Sequence, residues 1–368
     1  MDLLLDLLRL HNLRICVDTV DTAQVAAASA GLSAADDTPV HRCSRRSVAE
    51  FRTMPPKIEL HCHLDGILDP EMARDIRAED PGFPVDPELL AGAYPVDSFQ
   101  RFSDWWRFPA ALQGDLDRFR PVLKRHLKRL AAEDVIYAEL MIGGSEIPVD
   151  TSEAIDKLSE VRAWLKPQTA GRIQVEFLAC FGRNKPPESL EAKVARNIAL
   201  YEAGLIAGVA LAGPEEGYRV QPHHRTFARY HDAGVPIEIH AGEWCGPESI
   251  WDVLRYGFPK RIGHGVSLFA DPALVDAVRE KGIHIEMCPT SNLKTGSIGR
   301  IEEHPIRKAI ELGLRFSVNT DDPGPFGNSM ESEYALLQNV FGFTEDDLGR
   351  VFAHSAAARF RSGLPGTP

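Results

Sequence analysis

From Pro55 onward, short apolar runs rich in β-branched residues recur along the chain, separated by longer stretches of helix formers. The runs are IELHCHL (58–64), VIYAELMI (135–142), IQVEFLAC (173–180), IAGVALAG (206–213), PIEIHAGE (236–243), RIGHG (261–265), HIEMCPTSN (284–292) and RFSVNTDDP (315–323). Intervening pieces such as ESLEAKVARNIALYEAG and PESIWDVLRYG carry an apolar stripe and end in glycine, as helix C-termini do. Eight strand candidates alternating with helices predict an α/β fold, a (β/α)8 TIM barrel. Residues 65–134 exceed one crossover helix and predict a helical insertion after the first strand, containing FQRFSDWWRF. Its Phe99, Phe102, Trp105, Trp106 and Phe108 have two readings: a helix packed on the barrel, or a pocket wall for a flat ring.

The N-terminal part follows a different pattern. Leu3, Leu4, Leu7 and Leu10 suit one short amphipathic helix, and residues 22–53 are Ala/Ser-rich without a sustained apolar period. Residues 1–54 are therefore expected to be a weakly ordered extension, and 55–368 the barrel domain. Met54, immediately ahead of PPKIELHCHLDG, offers an alternative start.

Composition narrows the class of partner. The 368 residues are 44% hydrophobic, with a formal charge of -12 and no Lys/Arg-rich run, which argues against nucleic-acid binding and suits a small-molecule substrate. Cys16, Cys43, Cys62, Cys180, Cys245 and Cys288 lack CxxC pairing or regular spacing, pointing to a reducing compartment. No apolar run approaches a membrane span, and the N-terminus carries Asp2 and Asp6 where a signal peptide needs positive charge; a cytoplasmic protein is expected. Oligomeric state is not legible.

The polar oddities fall at strand ends, where a barrel builds its open face. His61 and His63 end strand one, His240 and Glu243 strand five, His264 strand six, and Asp321 and Asp322 strand eight. A lone strand-end histidine is usually a satisfied polar residue, and a lone Asp-Asp-Pro is usually a turn. Together, three histidines and a carboxylate bring N, N, N and O donors to one point, the ligand set of a catalytic Zn2+ with a position open for water. In a strand of period two, both histidines of HxH face the same way and reach one ion. Glu243, three residues past His240, is placed as a proton shuttle.

PKIELHCHLDG, HAGE, RIGHG, CPTSN and NTDDP, in that order, closely resemble the adenosine deaminase family of the amidohydrolase superfamily. The resemblance runs from about Pro55 to the C-terminal helices. It implies hydrolytic deamination at C6 of a 6-aminopurine by metal-activated water, with adenosine to inosine plus ammonia as the default. It implies His61, His63, His240 and Asp321 as ligands of one Zn2+ per chain. It makes Glu243 the donor to ring nitrogen N1 and His264 the residue that orients and helps deprotonate the water. Asp322 would hold the hydroxide or ring nitrogen N7, Gly213 would contact N3 through its backbone, and Asp65 would reach a sugar hydroxyl. Binuclear relatives generally bridge two ions with a modified lysine ending strand four; here that strand ends VALAGPEEG, without lysine.

The departures bear on substrate. Met141 stands where many relatives carry arginine, and ALAGPEEG where DLAGDE is common. Aminodeoxyfutalosine, adenine, a methylthioadenosine and an N6-substituted nucleotide are alternative substrates, and Lys294 has two readings, anion contact or solvated loop. A metal-dependent phosphoesterase would want more ions and ligands, and a purine-binding pseudoenzyme a broken zinc set. HIEMCP contains an H-x-E without the PCxxC of cytidine deaminases; it reads as strand seven with Glu286 interior. GxSxG, HExxH and Walker A patterns are absent.

Overall fold

The computed structural model describes residues 54–362; residues 1–53 and 363–368, and with them nearly all of the expected N-terminal extension, lie outside the described residues. Eight strands run in chain order around one parallel sheet: β1 (Lys57–His63), β2 (Val135–Gly143), β3 (Gln174–Gly182), β4 (Gly208–Ala212), β5 (Ile237–Ala241), β6 (Arg261–His264), β7 (His284–Met287) and β8 (Arg315–Val318). The circle closes just beyond β8, where Asp321 N donates to the His61 carbonyl at 3.0 Å and His63 N donates to the Asp321 carbonyl at 2.9 Å. Helices connect the strands, and the fold is a (β/α)8 TIM barrel.

Each strand reads two ways because its faces alternate. On β1, Ile58 and Leu60 pack outward with Tyr137 against the C-terminal helix Glu345–Ala358, while Glu59, His61 and His63 point into the barrel. Burying one such aliphatic side chain contributes about 1.5–3 kcal/mol, so Leu60→Ala would cost about 2–5 kcal/mol once the cavity is counted. On β5, Ile237, Ile239 and Ala241 join the apolar layer beneath the helices, leaving Glu238 and His240 inside. On β7, Ile285 and Met287 do the same, leaving His284 and Glu286 inside.

Between β1 and β2 the chain forms helices at Pro70–Glu79, Pro87–Ala91, Phe99–Trp105 and Arg120–Ala132. Their starts follow local chemistry: Asp69 caps the first by accepting from Met72 N at 2.7 Å, Asp86 caps the second, and both have proline in the first turn. The seventh strand ends earlier than the run HIEMCPTSN suggests. Pro289 starts a helix, Pro289–Lys294, so residues 289–292 continue as helix and not strand. Among the described residues no helix is long and apolar enough to cross a membrane.

Candidate metal and substrate site

The interior faces of β1 and β5 and the end of β8 converge at the C-terminal mouth of the barrel. His61, His63 and His240 offer nitrogens within 4.8 Å of one another, and the same holds for the donor atoms of His61, His264 and Asp321. Asp321 Oδ1 lies 3.4 Å from His61 Nε2 and 3.3 Å from His63 Nε2. Nε2 of His61 and of His240 are buried yet have no hydrogen-bond partner. Buried polar atoms are almost always satisfied, so two orphaned imidazole nitrogens in a cluster of histidines, with Asp321 against His61 and His63, mark a place shaped for a cation. The residues fit a tetrahedral N/N/N/O ion such as Zn2+.

Two backbone features bring side chains in that strand alternation would turn away. On β6, Gly263 faces the interior, since a Cβ there would meet Glu238, His61 and His240 within 3.1 Å. The next residue should then face outward. His264 instead has φ 65°, in the left-handed region, and its ring lies 4.9 Å from that of His240. Asp321 has φ 63° as well. Left-handed backbone in non-glycine residues is costly and concentrates at functional sites.

Behind these residues stands a supporting network. Ser291 Oγ donates to Asp321 Oδ2 at 2.6 Å, His61 Nδ1 meets Glu286 Oε2 at 2.9 Å, and Asn292 bridges His264 and His304 at 3.1 Å on each side. Arg183, at the end of β3, is buried and donates to the His240 carbonyl. Glu215, in the loop after β4, accepts from Gly242 N, Glu243 N, Trp244 N and Cys245 N at 2.7–3.1 Å and from Ser249 Oγ at 2.5 Å. It thereby fixes the turn that carries Glu243.

Burial sets the ionisation of the site. It pushes the Glu243 carboxyl well above the usual carboxylate range, with the charges of Asp321 and Glu215 adding to it, and acts likewise on Asp322 beside Asp321. Burial lowers His264 to about 3 and His63 to about 4, so both are neutral at pH 7. Asp321 stays ionised: burial opposes its charge, but His61, His264 and His63 outweigh it. Asp65 is pushed up to about 7 by burial and by Glu146. A neutral carboxylic acid beside an ionised carboxylate is the pairing that acid/base chemistry at neutral pH requires.

A cavity of about 560 Å3 opens over the cluster, within the range of small-molecule sites. His63, His240, Glu243, His264, Asp321 and Asp322 form its polar end, and Asp65 and Gly213 also line it. Gly213 has φ 93°, a conformation glycine adopts without strain, and it brings backbone to the cavity wall. Of the aromatic group, Phe99, Phe102 and Trp106 face the cavity, whereas Trp105 is fully buried; both readings of that segment therefore hold for different residues. Phe99 meets Trp244 edge to face at 5.0 Å. Met141 lines the cavity, and Lys294 does not.

Sequence reasoning missed Glu215, Arg183, Asn292 and Ser291. Ser291 and Asn292 lie within the motif CPTSN, and Glu215 within ALAGPEEG, quoted only for its departure from the family; Arg183 lies in no quoted motif. Glu286 was read as interior, and that is where it sits, but its bond to His61 was not foreseen.

A family model described as adenosine deaminase matches residues 56–362. The chain belongs to the adenosine deaminase family. This family member is 32% identical over 308 residues to an adenine deaminase of Rhizobium leguminosarum, covering 83% of this chain and 94% of that one. It is 30% identical over 322 residues to an aminodeoxyfutalosine deaminase of Streptomyces avermitilis, covering 86% and 89%. Among solved structures, an adenine deaminase from Arthrobacter aurescens superposes with a TM-score of 0.72 at 25% identity, over 84% of this chain and 94% of that one. This adenosine deaminase family member is a hydrolytic deaminase acting on an aminopurine.

Proposed function

We propose that the protein deaminates a neutral 6-aminopurine nucleoside, adenosine in the simplest case, with one zinc ion held by His61, His63, His240 and Asp321. The observation that carries the choice of substrate is the charge of the cavity. Its lining includes Asp65, Glu243, Asp321 and Asp322 but no arginine or lysine; Lys193, beside Gly144 and over the Phe181 ring, is not part of the lining. A phosphate or carboxylate on the substrate would be desolvated beside the ionised Asp321 and the acids Asp65, Glu243 and Asp322, with no lining arginine or lysine to offset its charge. That disfavours a nucleotide, and equally aminodeoxyfutalosine with its benzoate. A sugar hydroxyl, by contrast, finds an acceptor in Asp65.

A zinc ion held by His61, His63, His240 and Asp321 would supply Lewis-acid polarisation of a water. Glu243, held protonated by its burial, delivers a proton to N1, which makes C6 electrophilic. His264, neutral, and Asp322 orient the attacking water, and Gly213 meets N3 through its backbone. The water oxygen bonds to C6 and the C6–N6 bond breaks. Of the two water protons one goes to the departing ammonia and the other restores Glu243, so N1 keeps the proton that Glu243 gave and the enzyme ends as it began. Phe102 and Trp106 provide apolar wall for the ring. The scatter of the cysteines supports a reducing, cytoplasmic setting; Cys62, Cys180, Cys245 and Cys288 are free.

A second reading, free adenine, is favoured by the names of several curated relatives at 30–33% identity. Ammonia release measured on adenosine, deoxyadenosine, methylthioadenosine, adenine, AMP and aminodeoxyfutalosine tests the proposal. Highest kcat/KM on a neutral nucleoside is expected. Highest kcat/KM on adenine would select the second reading, and on AMP or aminodeoxyfutalosine would overturn the charge argument.

A further inference from the structure

The floor of the barrel, at the opposite end from the cavity, is linked to His61 by a run of buried charged groups in which the Glu286–Arg261 step is an ion pair without hydrogen-bond geometry. His61 Nδ1 meets Glu286 Oε2 at 2.9 Å. Glu286 Oε1 faces Arg261 Nε at 2.5 Å, and Arg261 Nη2 donates to Glu139 Oε2 at 2.5 Å. None of His61, Glu286, Arg261 and Glu139 is more than 1% exposed. The chain does not stop at Glu139. The backbone N of Phe360 donates to Glu139 Oε1 at 2.8 Å, Arg261 Nη1 donates to the Ala358 carbonyl at 3.1 Å, and the guanidinium carbon of Arg261 stands 3.5 Å from the centre of the Phe360 ring. Arg361 ties the same segment to the Tyr201 and Ile206 carbonyls at 2.8 Å.

We infer that the C-terminal segment Ala358–Phe360 is a positioning element of the metal site, acting on His61 through Arg261 and Glu286. This rests on the reading of His61 as a metal ligand. An imidazole that binds a cation through Nε2 must carry its proton on Nδ1, and a carboxylate accepting that proton fixes ring orientation and raises ligand basicity. Glu286 does this only while its second oxygen is held. Arg261 is the group that holds it, and Arg261 is in turn shared between two carboxylates. Its remaining donor and its ring face are satisfied by the tail alone among the contacts described for it. Without Phe360 the guanidinium would be open to water from the barrel floor, its grip on Glu286 would loosen, and His61 would lose its fixed orientation. The tail thus reaches the ion from the far side of the barrel without lining the substrate cavity.

The test uses the full chain with Phe360→Ala and Arg261→Lys, and His354→Ala as a control on the same floor but outside the chain of contacts. Zinc affinity is measured by competition with a chromophoric chelator, metal geometry by the visible absorption of the Co2+-substituted protein, and folding by the melting temperature of the metal-free form. Phe360→Ala and Arg261→Lys should weaken zinc binding by roughly 10–100-fold and shift the Co2+ bands. His354→Ala should change neither, and Phe360→Tyr, which keeps the ring face, should restore both. If Arg261→Lys fails to fold, Phe360→Ala alone decides. A Phe360→Ala protein with lowered melting temperature but wild-type zinc affinity and Co2+ spectrum would overturn the inference while leaving the ligand reading intact. Wild-type protein that takes up no zinc would overturn both.

Discussion

Glu243 Oε2 and His264 Nε2 lie 3.4 Å apart with both side chains buried, one held protonated and the other held neutral by the same loss of water. Neither is needed to complete a three-histidine, one-aspartate ligand set. Glu243→Gln, which keeps shape and removes the transferable proton, should therefore leave zinc content unchanged and lower turnover by roughly 10^2 to 10^4. Steady-state kinetics with metal analysis on the same preparation checks this, and an unaltered kcat would remove Glu243 from the chemistry.

Glu215 holds the loop that carries Glu243 through four backbone amides and Ser249. Glu215→Ala leaves those donors without their acceptor, so a loss of about 2–4 kcal/mol in stability is expected, with a fall in kcat at unchanged metal content. Denaturant unfolding and kinetics of the variant provide the comparison. Wild-type kcat in a stably folded Glu215→Ala protein would show that the turn keeps its shape without this residue.

Asp65 lines the cavity, and its proposed partner is a sugar hydroxyl. Asp65→Ala should raise KM for adenosine by roughly 10–100-fold, the equivalent of about 1–3 kcal/mol of lost hydrogen bonding, with little effect on any turnover of adenine. Equal losses on both substrates would assign Asp65 to the fold and not to the sugar.

His304 supplies a clean pH test because it stands one residue behind the site, bonded to Asn292. Burial lowers it to about 3. Below its ordinary value near 6.5 the unfolded chain takes up a proton that the folded chain refuses, so stability falls as pH drops from 6.5 toward 3. In His304→Gln this contribution is absent, and the slope of unfolding free energy against pH between 6 and 4 should be shallower by about 1.4 kcal/mol per pH unit. Glu59 and Glu333, raised by burial to about 8 and about 7, act with the opposite sign in both proteins and cancel from the difference. Identical slopes would mean that His304 titrates normally when folded.

The ligand candidates were legible because strand period and barrel topology act on residue type alone. His61 and His63 share a face at spacing two, and every βα junction of such a barrel opens at one end. His264 was found by its place at a strand end, although strand alternation would have turned it outward; the left-handed backbone that brings it back has no signal in RIGHG beyond its glycines. Glu139 and Arg261 are 122 residues apart, and nothing local in either run marks them as partners. Glu215 sits in the segment that seemed only a departure from the family, and its role depends on where the β5 loop passes. Interior pairing of this kind is a property of the closed barrel, and a single strand does not encode it.

The central claim is that one divalent cation sits among His61, His63, His240 and Asp321. Metal analysis of the purified full chain and of His240→Ala tests it most directly. One zinc per chain in the wild type and almost none in the variant is the expected result; full zinc occupancy in His240→Ala, or none in active wild-type protein, would contradict it.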